Sequence, residues 1–394
     1  MLENMDLKAV NKLGLMGGAF DPIHYGHLTA AECVRSELDL DMILFIPTGN
    51  PPHKVSKTFF EHRYLMTMLA IDDNSHFYLS RMEAERVGYS YTVDTLRILK
   101  GQTDAQLFFI AGADEIRELP NWKDYDELIK LCRFVGVTRP GYEHFDGALN
   151  IPGLDISGTE LRRRVTKGQS VKYLTPPSVE TYINDMNLYK FDGSGDFYEG
   201  IYNAVAAKLS QKRFKHTTSV VEAALTLSYR YGVNLRKTYL AAMLHDYAKE
   251  LKEDEKRTLC KEFAIPLDDI QEKNINLMHG QLSAKLSQKE FGINDPEILD
   301  AISYHNTGRA GMSLLEKIIK VADTIEANRK SYPALEEIRT LSVSNLDRAV
   351  YTSIESGISF TQKKGHTVHP YGTAALQYLN NATSQSNKQQ AHQS

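Results

Sequence analysis

The 394-residue chain is 42% hydrophobic and 24% charged, with a formal net charge of −4, a profile of ordinary globular protein long enough for two or three domains. The near-neutral balance leaves no electrostatic footprint for nucleic acid or an anionic membrane. No apolar run spans a bilayer, and the leading MLENMDLKAV has no signal-peptide core. Cys33, Cys132 and Cys260 stand at no metal or redox spacing, which predicts a reducing, cytoplasmic setting rather than a disulfide scaffold.

Leu13 to Met16 reads as a short strand. Gly17-Gly18-Ala19-Phe20-Asp21-Pro22-Ile23-His24-Tyr25-Gly26-His27 follows it and leads into a helix over Leu28 to Val34. Strand, glycine-rich turn and helix start aim backbone N–H groups and a helix dipole at an anion, usually phosphate. No Gly-Lys-Ser/Thr follows the glycines, and G-x-G-x-x-G is absent, so this is neither a lysine P-loop nor a dinucleotide fingerprint. His24 and His27 share a face of the first helical turn. Two imidazoles there suit hydrogen bonding to a phosphate that gains charge during transfer; helix capping is the plainer alternative.

Met42 to Pro47, Phe77 to Ser80, Leu107 to Ala111 and Phe134 to Thr138 read as buried strands, with helices over His62 to Asp72, Thr92 to Lys100 and Tyr125 to Cys132. The alternation predicts a doubly wound parallel sheet with ligands at the carboxyl ends of the strands. The motifs stand there. Thr48-Gly49-Asn50-Pro51-Pro52-His53-Lys54 is a stiff loop whose Lys54 offers a charge to phosphate. Ser90-Tyr91-Thr92-Val93-Asp94 predicts a capped helix start, with Ser90 or Thr92 as the cap. Gly112-Ala113-Asp114-Glu115 precedes Trp122, the one tryptophan, a candidate to stack on a flat heterocycle. Arg139-Pro140-Gly141 follows the last strand. In Asp155-Ile156-Ser157-Gly158-Thr159-Glu160-Leu161-Arg162-Arg163-Arg164, Ser157 reads as an N-cap with Glu160 at capping-box spacing.

GGAFDPIHYGHL resembles the HxGH nucleotidyltransferases. SYTVDTL, FFIAGADE with Trp122, and TRPG make the resemblance one to the bacterial nicotinate-nucleotide adenylyltransferases, over about Leu13 to Phe191. It implies transfer of AMP from ATP, with its Mg²⁺, to nicotinate mononucleotide, giving nicotinate adenine dinucleotide and pyrophosphate. It assigns His24, His27, Lys54 and Arg162 to catalysis, and Gly17, Gly18, Phe20, Gly26, His27, Ser157, Thr159 and Arg162 to ATP. Asn50, Lys54, Thr92, Asp114 and Trp122 fall to the nicotinate nucleotide. The family has serine where this chain has Gly158, which suggests a looser helix start. Nicotinamide mononucleotide is the alternative acceptor.

Asp192 to Asp196 (DGSGD) reads as a linker between a domain over 1–191 and an all-helical domain over 197–379; 380–394, rich in Asn, Gln and Ser, reads as a disordered tail. Apolar stripes predict helices over Thr217 to Tyr231, Lys237 to Leu251, Asp254 to Phe263, Leu282 to Phe291, Pro296 to Tyr304 and Leu314 to Asn328. The apolar run Leu240 to Leu244 meets His245-Asp246 directly, and Asp323 interrupts another apolar helix. Burying such groups unpartnered costs several kcal/mol, and a divalent metal satisfies both.

The order His216, His245-Asp246, His279, His305, Asp323 resembles the HD-superfamily metal-dependent phosphohydrolases. RFKH, HDYAKE, MHG, YHNTG and ADTIEANR narrow this to the bacterial symmetrical diadenosine-tetraphosphate hydrolases of HD type. The resemblance implies iron on His216, His245, Asp246 and Asp323, with His279 and His305 toward the phosphates or a second metal. Manganese, zinc or cobalt also suits these ligands. It implies Arg213, Lys249, His279, His305 and Arg329 around the polyphosphate, Asp246 as catalytic, and water attack at a central phosphorus releasing two ADP. A nucleotide-sensing module without hydrolysis, or action on another nucleotide, is the alternative. Oligomeric state is not legible.

Overall fold

The computed structural model describes residues 9–51, 58–138, 149–151, 156–190 and 194–391, without the side chains of Asp114, Asn150, 194–196 and 382–391. Lys54, Arg139 to Gly141, Asp155 and residues 192–193 lie outside the described residues. The chain forms two compact units, 1–195 and 196–394.

The first unit runs β1 (Lys12–Gly18), α1 (Tyr25–Leu38), β2 (Met42–Pro47), α2 (Phe60–Ile71), β3 (Phe77–Leu79), α3 (Thr92–Lys100), β4 (Gln106–Gly112), α4 (Ala113–Arg117), α5 (Tyr125–Leu131), β5 (Arg133–Thr138), β6 (Leu149–Asn150), α6 (Gly158–Thr166) and α7 (Pro177–Asp185). The six strands pair in parallel in the order β3-β2-β1-β4-β5-β6, the doubly wound sheet expected. Leu13, Leu15, Leu44, Leu96, Leu107 and Leu128 are buried in one core cluster, as a sheet covered on its faces requires. Crossovers leave β1 and β4 in opposite directions, so a crevice opens at the carboxyl ends of these two strands. The two-residue β6 and five-residue α4 are too short for periodicity to reveal. Tyr91, not Ser90 or Thr92, occupies the N-cap of α3, and Thr92 is its first helical residue.

The second unit is helical: α8 (Ser194–Lys208), α9 (Gln211–Tyr231), α10 (Leu235–Leu244), α11 (Glu253–Glu262), α12 (Asp269–Lys273), α13 (His279–Phe291), α14 (Pro296–Tyr304), α15 (Leu314–Ile325), α16 (Leu335–Ser344), α17 (Leu346–Lys363) and α18 (Pro370–Ala391). Ser210, Asn234, Asp295 and Ser313 cap α9, α10, α14 and α15 with side-chain acceptors.

Several expected boundaries move; the helix expected from Thr217 already starts at Gln211, and the one expected from Leu282 at His279. The helix expected over Lys237 to Leu251 stops at Leu244, because Ala248 N–H is taken by Ser283 Oγ at 2.9 Å instead of continuing the ladder. The one expected to reach Asn328 ends at Ile325, where Glu326 Oε2 accepts the Asn328 N–H at 2.6 Å. Residues 194–196 of the expected linker open α8, and α18 carries the backbone of the expected disordered tail to Ala391. An established helix propagates into Ala- and Gln-containing sequence more readily than it nucleates there.

Candidate functional sites

At the carboxyl end of β1 the chain turns through Phe20, which takes a left-handed φ of 47°, and His24 becomes the N-cap of α1. His24 and His27 stack with centroids 3.8 Å apart. His24 N–H donates to His27 Nδ1 at 3.3 Å, so the capping alternative is realised. A neutral His27 ring that accepts at Nδ1 carries its proton on Nε2, the arrangement of a donor. Glycine between them leaves room for the His24 ring, since a Cβ on Gly26 would lie 3.0 Å from His24 Nδ1 and press on it.

Other segments hold this turn. Thr175 Oγ1 donates to Ile23 O at 2.7 Å, and Tyr189 OH donates to Asp21 Oδ1 at 2.7 Å. Arg162 Nη1 donates to Asp21 O at 2.5 Å and Nη2 to Thr159 Oγ1 at 3.2 Å. The second helix start, α6, therefore sits against the first. Ser157 caps α6 by accepting the Glu160 N–H at 3.2 Å. Glu160 does not complete the box; its carboxylate accepts from Arg163 at 2.6 and 2.7 Å and from Arg164 at 3.0 Å. Gly158 does not loosen the start: a Cβ there would lie 2.7 Å from Asp21 O, so the two turns pack closely because the residue is glycine.

Sequence reasoning missed Arg63. It is buried, and its guanidinium donates to Ala19 O and Thr48 O, both at 2.8 Å, tying the turn after β1 to the loop after β2. Nothing in its local pattern distinguishes it from a surface arginine of an amphipathic helix.

A cleft of about 500 Å³ opens nearby, lined in part by Ser90, Tyr91, Thr92, Asn121, Trp122 and Lys123. Trp122 meets Phe109 and Phe134 edge-on at 6.0 and 6.2 Å, which fixes its ring while it lines the cleft. Asn50 joins this region through its backbone: Ser90 Oγ accepts the Asn50 N–H at 3.1 Å, and Asn50 O accepts the Ser90 N–H at 2.8 Å. Its side-chain amide donates to Gly88 O at 3.3 Å. Asp114 is the second residue of α4.

In the second unit, His216 on α9, His245-Asp246 after α10, His279 opening α13, His305 capping α14 and Asp323 on α15 converge. The donor atoms of His216, His245 and Asp323 lie within 4.8 Å of one another, as do those of His245, Asp246 and His305. Nδ1 of His245, His279 and His305 lies 2.6, 2.7 and 2.7 Å from the carbonyls of Ala242, Asn276 and Ile302. Burial pushes His245 down to about 3 and His279 to about 4, so both rings are neutral at pH 7. Their protons sit on Nδ1 and their Nε2 lone pairs face inward.

Both lone pairs face the Asp246 carboxylate. His279 Nε2 is 3.2 Å from Asp246 Oδ1, and His245 Nε2 is 3.5 Å from Asp246 Oδ2. His245 Nε2 and Asp246 Oδ1 are buried without a hydrogen-bond partner among the described residues. Acceptors facing acceptors in a buried site call for a cation, and imidazole with carboxylate is a divalent-metal donor set. The residues fit a metal.

Arg213 Nη1 lies 2.9 Å from Asp246 Oδ2, Lys249 Nζ donates to His279 Nε2 at 3.1 Å, and Arg329 Nη2 lies 2.6 Å from Asp323 Oδ1. The three predicted cations thus rim the cluster. Sequence reasoning missed Glu326, whose Oε1 is 3.2 Å from His216 Nδ1. It aligns the ring from behind, as carboxylates behind metal-ligating histidines do. Burial opposes charge on His216, but Asp323 and Glu326 overcome it and raise its pKa.

A cytidylyltransferase-like family model matches residues 15–164, and an HD domain model matches residues 213–328. A protein of Thermoanaerobacter sp. (strain X514) named probable nicotinate-nucleotide adenylyltransferase is 50% identical over 202 residues, 46% of this chain and 95% of that one. A Leifsonia xyli subsp. xyli protein of the same name is 46% identical over 192 residues, 46% of this chain and 96% of the relative. Among solved structures, a protein of Clostridium acetobutylicum described as a predicted HD superfamily hydrolase involved in NAD metabolism is 34% identical, over 47% of this chain and 97% of that one, with a TM-score of 0.46. No described helix is long and apolar enough to cross a membrane. Through its first unit the chain belongs to the nicotinate-nucleotide adenylyltransferase family, and its second unit carries an HD domain.

Proposed function

We propose that the first unit transfers AMP from ATP to nicotinate mononucleotide, and that the second hydrolyses diadenosine tetraphosphate symmetrically to two ADP, in the cytoplasm. The observation that carries the first reading is the paired helix start: the His24–His27 stack on α1, with Arg162 of α6 bonded to the same turn. The acceptor's phosphate oxygen attacks the α-phosphorus of ATP, a new P–O bond forms, and the bond to the bridging oxygen breaks to release pyrophosphate. No side-chain nucleophile is needed, so positioning and charge stabilisation supply the acceleration. His27 Nε2–H, His24, the α1 and α6 amides and Arg162 meet the phosphates of ATP, with Gly17, Gly18, Phe20, Gly26, Ser157 and Thr159 shaping that end. Mg²⁺ carried by ATP shares the neutralisation. Asn50, Lys54, Thr92, Asp114 and Trp122 receive the pyridine nucleotide. With ATP in excess, nicotinate mononucleotide should give dinucleotide and pyrophosphate, with a higher kcat/KM than nicotinamide mononucleotide. Preference for the amide would overturn the acceptor assignment.

For the second unit, the carrying observation is the inward-facing acceptor cluster around Asp246. His216, His245, Asp246 and Asp323 would hold the metal, iron first and manganese, zinc or cobalt as substitutes, with His279 and His305 at a second metal or a phosphate. The metal would lower the pKa of water to the neutral range. Arg213, Lys249 and Arg329 neutralise the polyphosphate at the rim. Iron- or manganese-loaded protein should yield ADP from diadenosine tetraphosphate and lose that reaction in Asp246→Ala. ATP with AMP would contradict symmetrical cleavage, and no product from loaded protein would favour a sensing module.

A further inference from the structure

Between β3 and α3 lies a buried carboxylate that the reaction does not use. Glu83 is 8% exposed. Its Oε1 accepts from Thr95 Oγ1 at 2.8 Å, and the Gly49 N–H also bonds the carboxylate. Its own carbonyl accepts from Ser90 Oγ at 3.4 Å. Gly49 is pressed so close that a Cβ would fall 2.3 Å from Glu83 O. The counter-charge is Arg86, whose guanidinium also reaches Thr95 Oγ1 at 3.4 Å and Tyr91 O at 3.5 Å.

The groups that Glu83 gathers come from two separate strand-end segments. Gly49 precedes Asn50 on the loop after β2, and Thr95 stands one turn into α3, whose start presents Ser90, Tyr91 and Thr92 to the cleft beside Trp122. The reciprocal Asn50–Ser90 hydrogen bonds, one to the Ser90 hydroxyl and one between backbones, join the same two segments. A carboxylate has acceptor capacity for both donors at once, and it donates to neither. Burial pushes the Glu83 carboxyl up from its ordinary range, against the bonds from Thr95 and Gly49.

We propose that Glu83 is a positioning residue for the pyridine-nucleotide end of the first site, holding the Gly49–Asn50 and Ser90–Thr95 segments in one arrangement. This rests on the adenylyltransferase reading above. Glu83 touches no reacting atom; it sets the spacing between the loop carrying Asn50 and the helix start carrying Thr92. The phosphate end is held by other residues, Arg162 and Thr175, while Arg63 bridges the turn after β1 and Thr48. Loosening Glu83 therefore separates the two substrates kinetically, whereas a general loss of structure would affect both.

Glu83→Gln keeps the shape and replaces one acceptor with a donor, which faces either the Gly49 N–H or the Thr95 hydroxyl. In the full chain it should raise KM for nicotinate mononucleotide about tenfold, leaving KM for ATP within about twofold and kcat reduced by less than the KM change. Thr95→Val removes the short bond to Glu83 and the longer contacts with Arg86 and Tyr91 O but keeps the carboxylate and its Gly49 bond; it should raise the same KM about threefold, serving as the milder variant if the first does not fold. Equal rises in both KM values, or no change for the pyridine nucleotide in a folded variant, would overturn the assignment of Glu83 alone. No turnover of nicotinate mononucleotide by the unsubstituted protein would overturn the reading of the first unit, and this inference with it.

Discussion

The two sites are assembled by opposite means. In the first unit the chemistry-bearing residues sit on consecutive strand-end loops of one sheet, and their groups are occupied with each other and with backbone: His24 N–H with His27, Arg162 with Asp21 O, Asn50 with Ser90. In the second, side chains from four helices and a turn bring unprotonated nitrogens and carboxylate oxygens face to face. A site for a mobile polyanion is preorganised by closing its loops on themselves. A site for a cation leaves its acceptors converging. Substitutions should therefore act locally on substrate handling in the first unit and collectively on metal retention in the second.

The largest expected effect is in the converging site. Asp246→Ala removes the carboxylate that the buried histidines His216, His245, His279 and His305 all approach, and the purified protein should retain essentially no bound iron or manganese by elemental analysis. His27→Ala in the first site should lower kcat for dinucleotide formation by about 10² to 10³, the range for deleting one transition-state donor, with little change in either KM. A comparable rise in KM would mean that the ring serves ground-state binding. Glu326→Gln tests whether the second site depends on support behind its ligands; metal affinity should fall about 10- to 100-fold, read by competition with a chelator. An unchanged affinity would leave the His216–Glu326 contact as packing alone.

The smallest effect concerns the frame of the first site. His62, buried on α2 and bonded to Tyr182 OH at 2.9 Å, is pushed down to about 3 by burial. Its pKa is lower folded than unfolded, so the unfolded chain takes up the proton first. Stability is complete above the ordinary value of 6.5 and falls as the pH drops below it. Between about pH 7 and pH 5 the loss from this residue is about 2 kcal/mol. Denaturant titrations of the His62→Gln protein should show a shallower acid slope, and an unchanged slope would exclude His62 as its source.

What was legible in the sequence divides along the same line. The doubly wound parallel sheet, though not its strand order, follows from buried strands alternating with amphipathic helices, and Ser157 announced its cap. Thr92 to Lys100 was readable to the residue because the apolar period and the flanking loop agree. His245-Asp246 stood out because an ionisable pair interrupts an apolar run. Arg63, Glu83 and Glu326 were not legible, since each acts through a partner distant in sequence: Ala19, Gly49 and His216 respectively. A charged residue on a helix or in a polar turn has no local signature of burial. The end of α10 was missed for the same reason, because Ser283 from α13 captures the amide that would have continued it.

The central claim is that the chain carries two separately constructed sites with separate chemistries. The most direct test measures both reactions on one preparation of the Asp246→Ala protein. Dinucleotide synthesis from ATP and nicotinate mononucleotide should proceed at the unsubstituted rate, while diadenosine tetraphosphate should survive intact in the presence of manganese. Persistent release of ADP, or a parallel collapse of synthesis in a folded protein, would contradict that division.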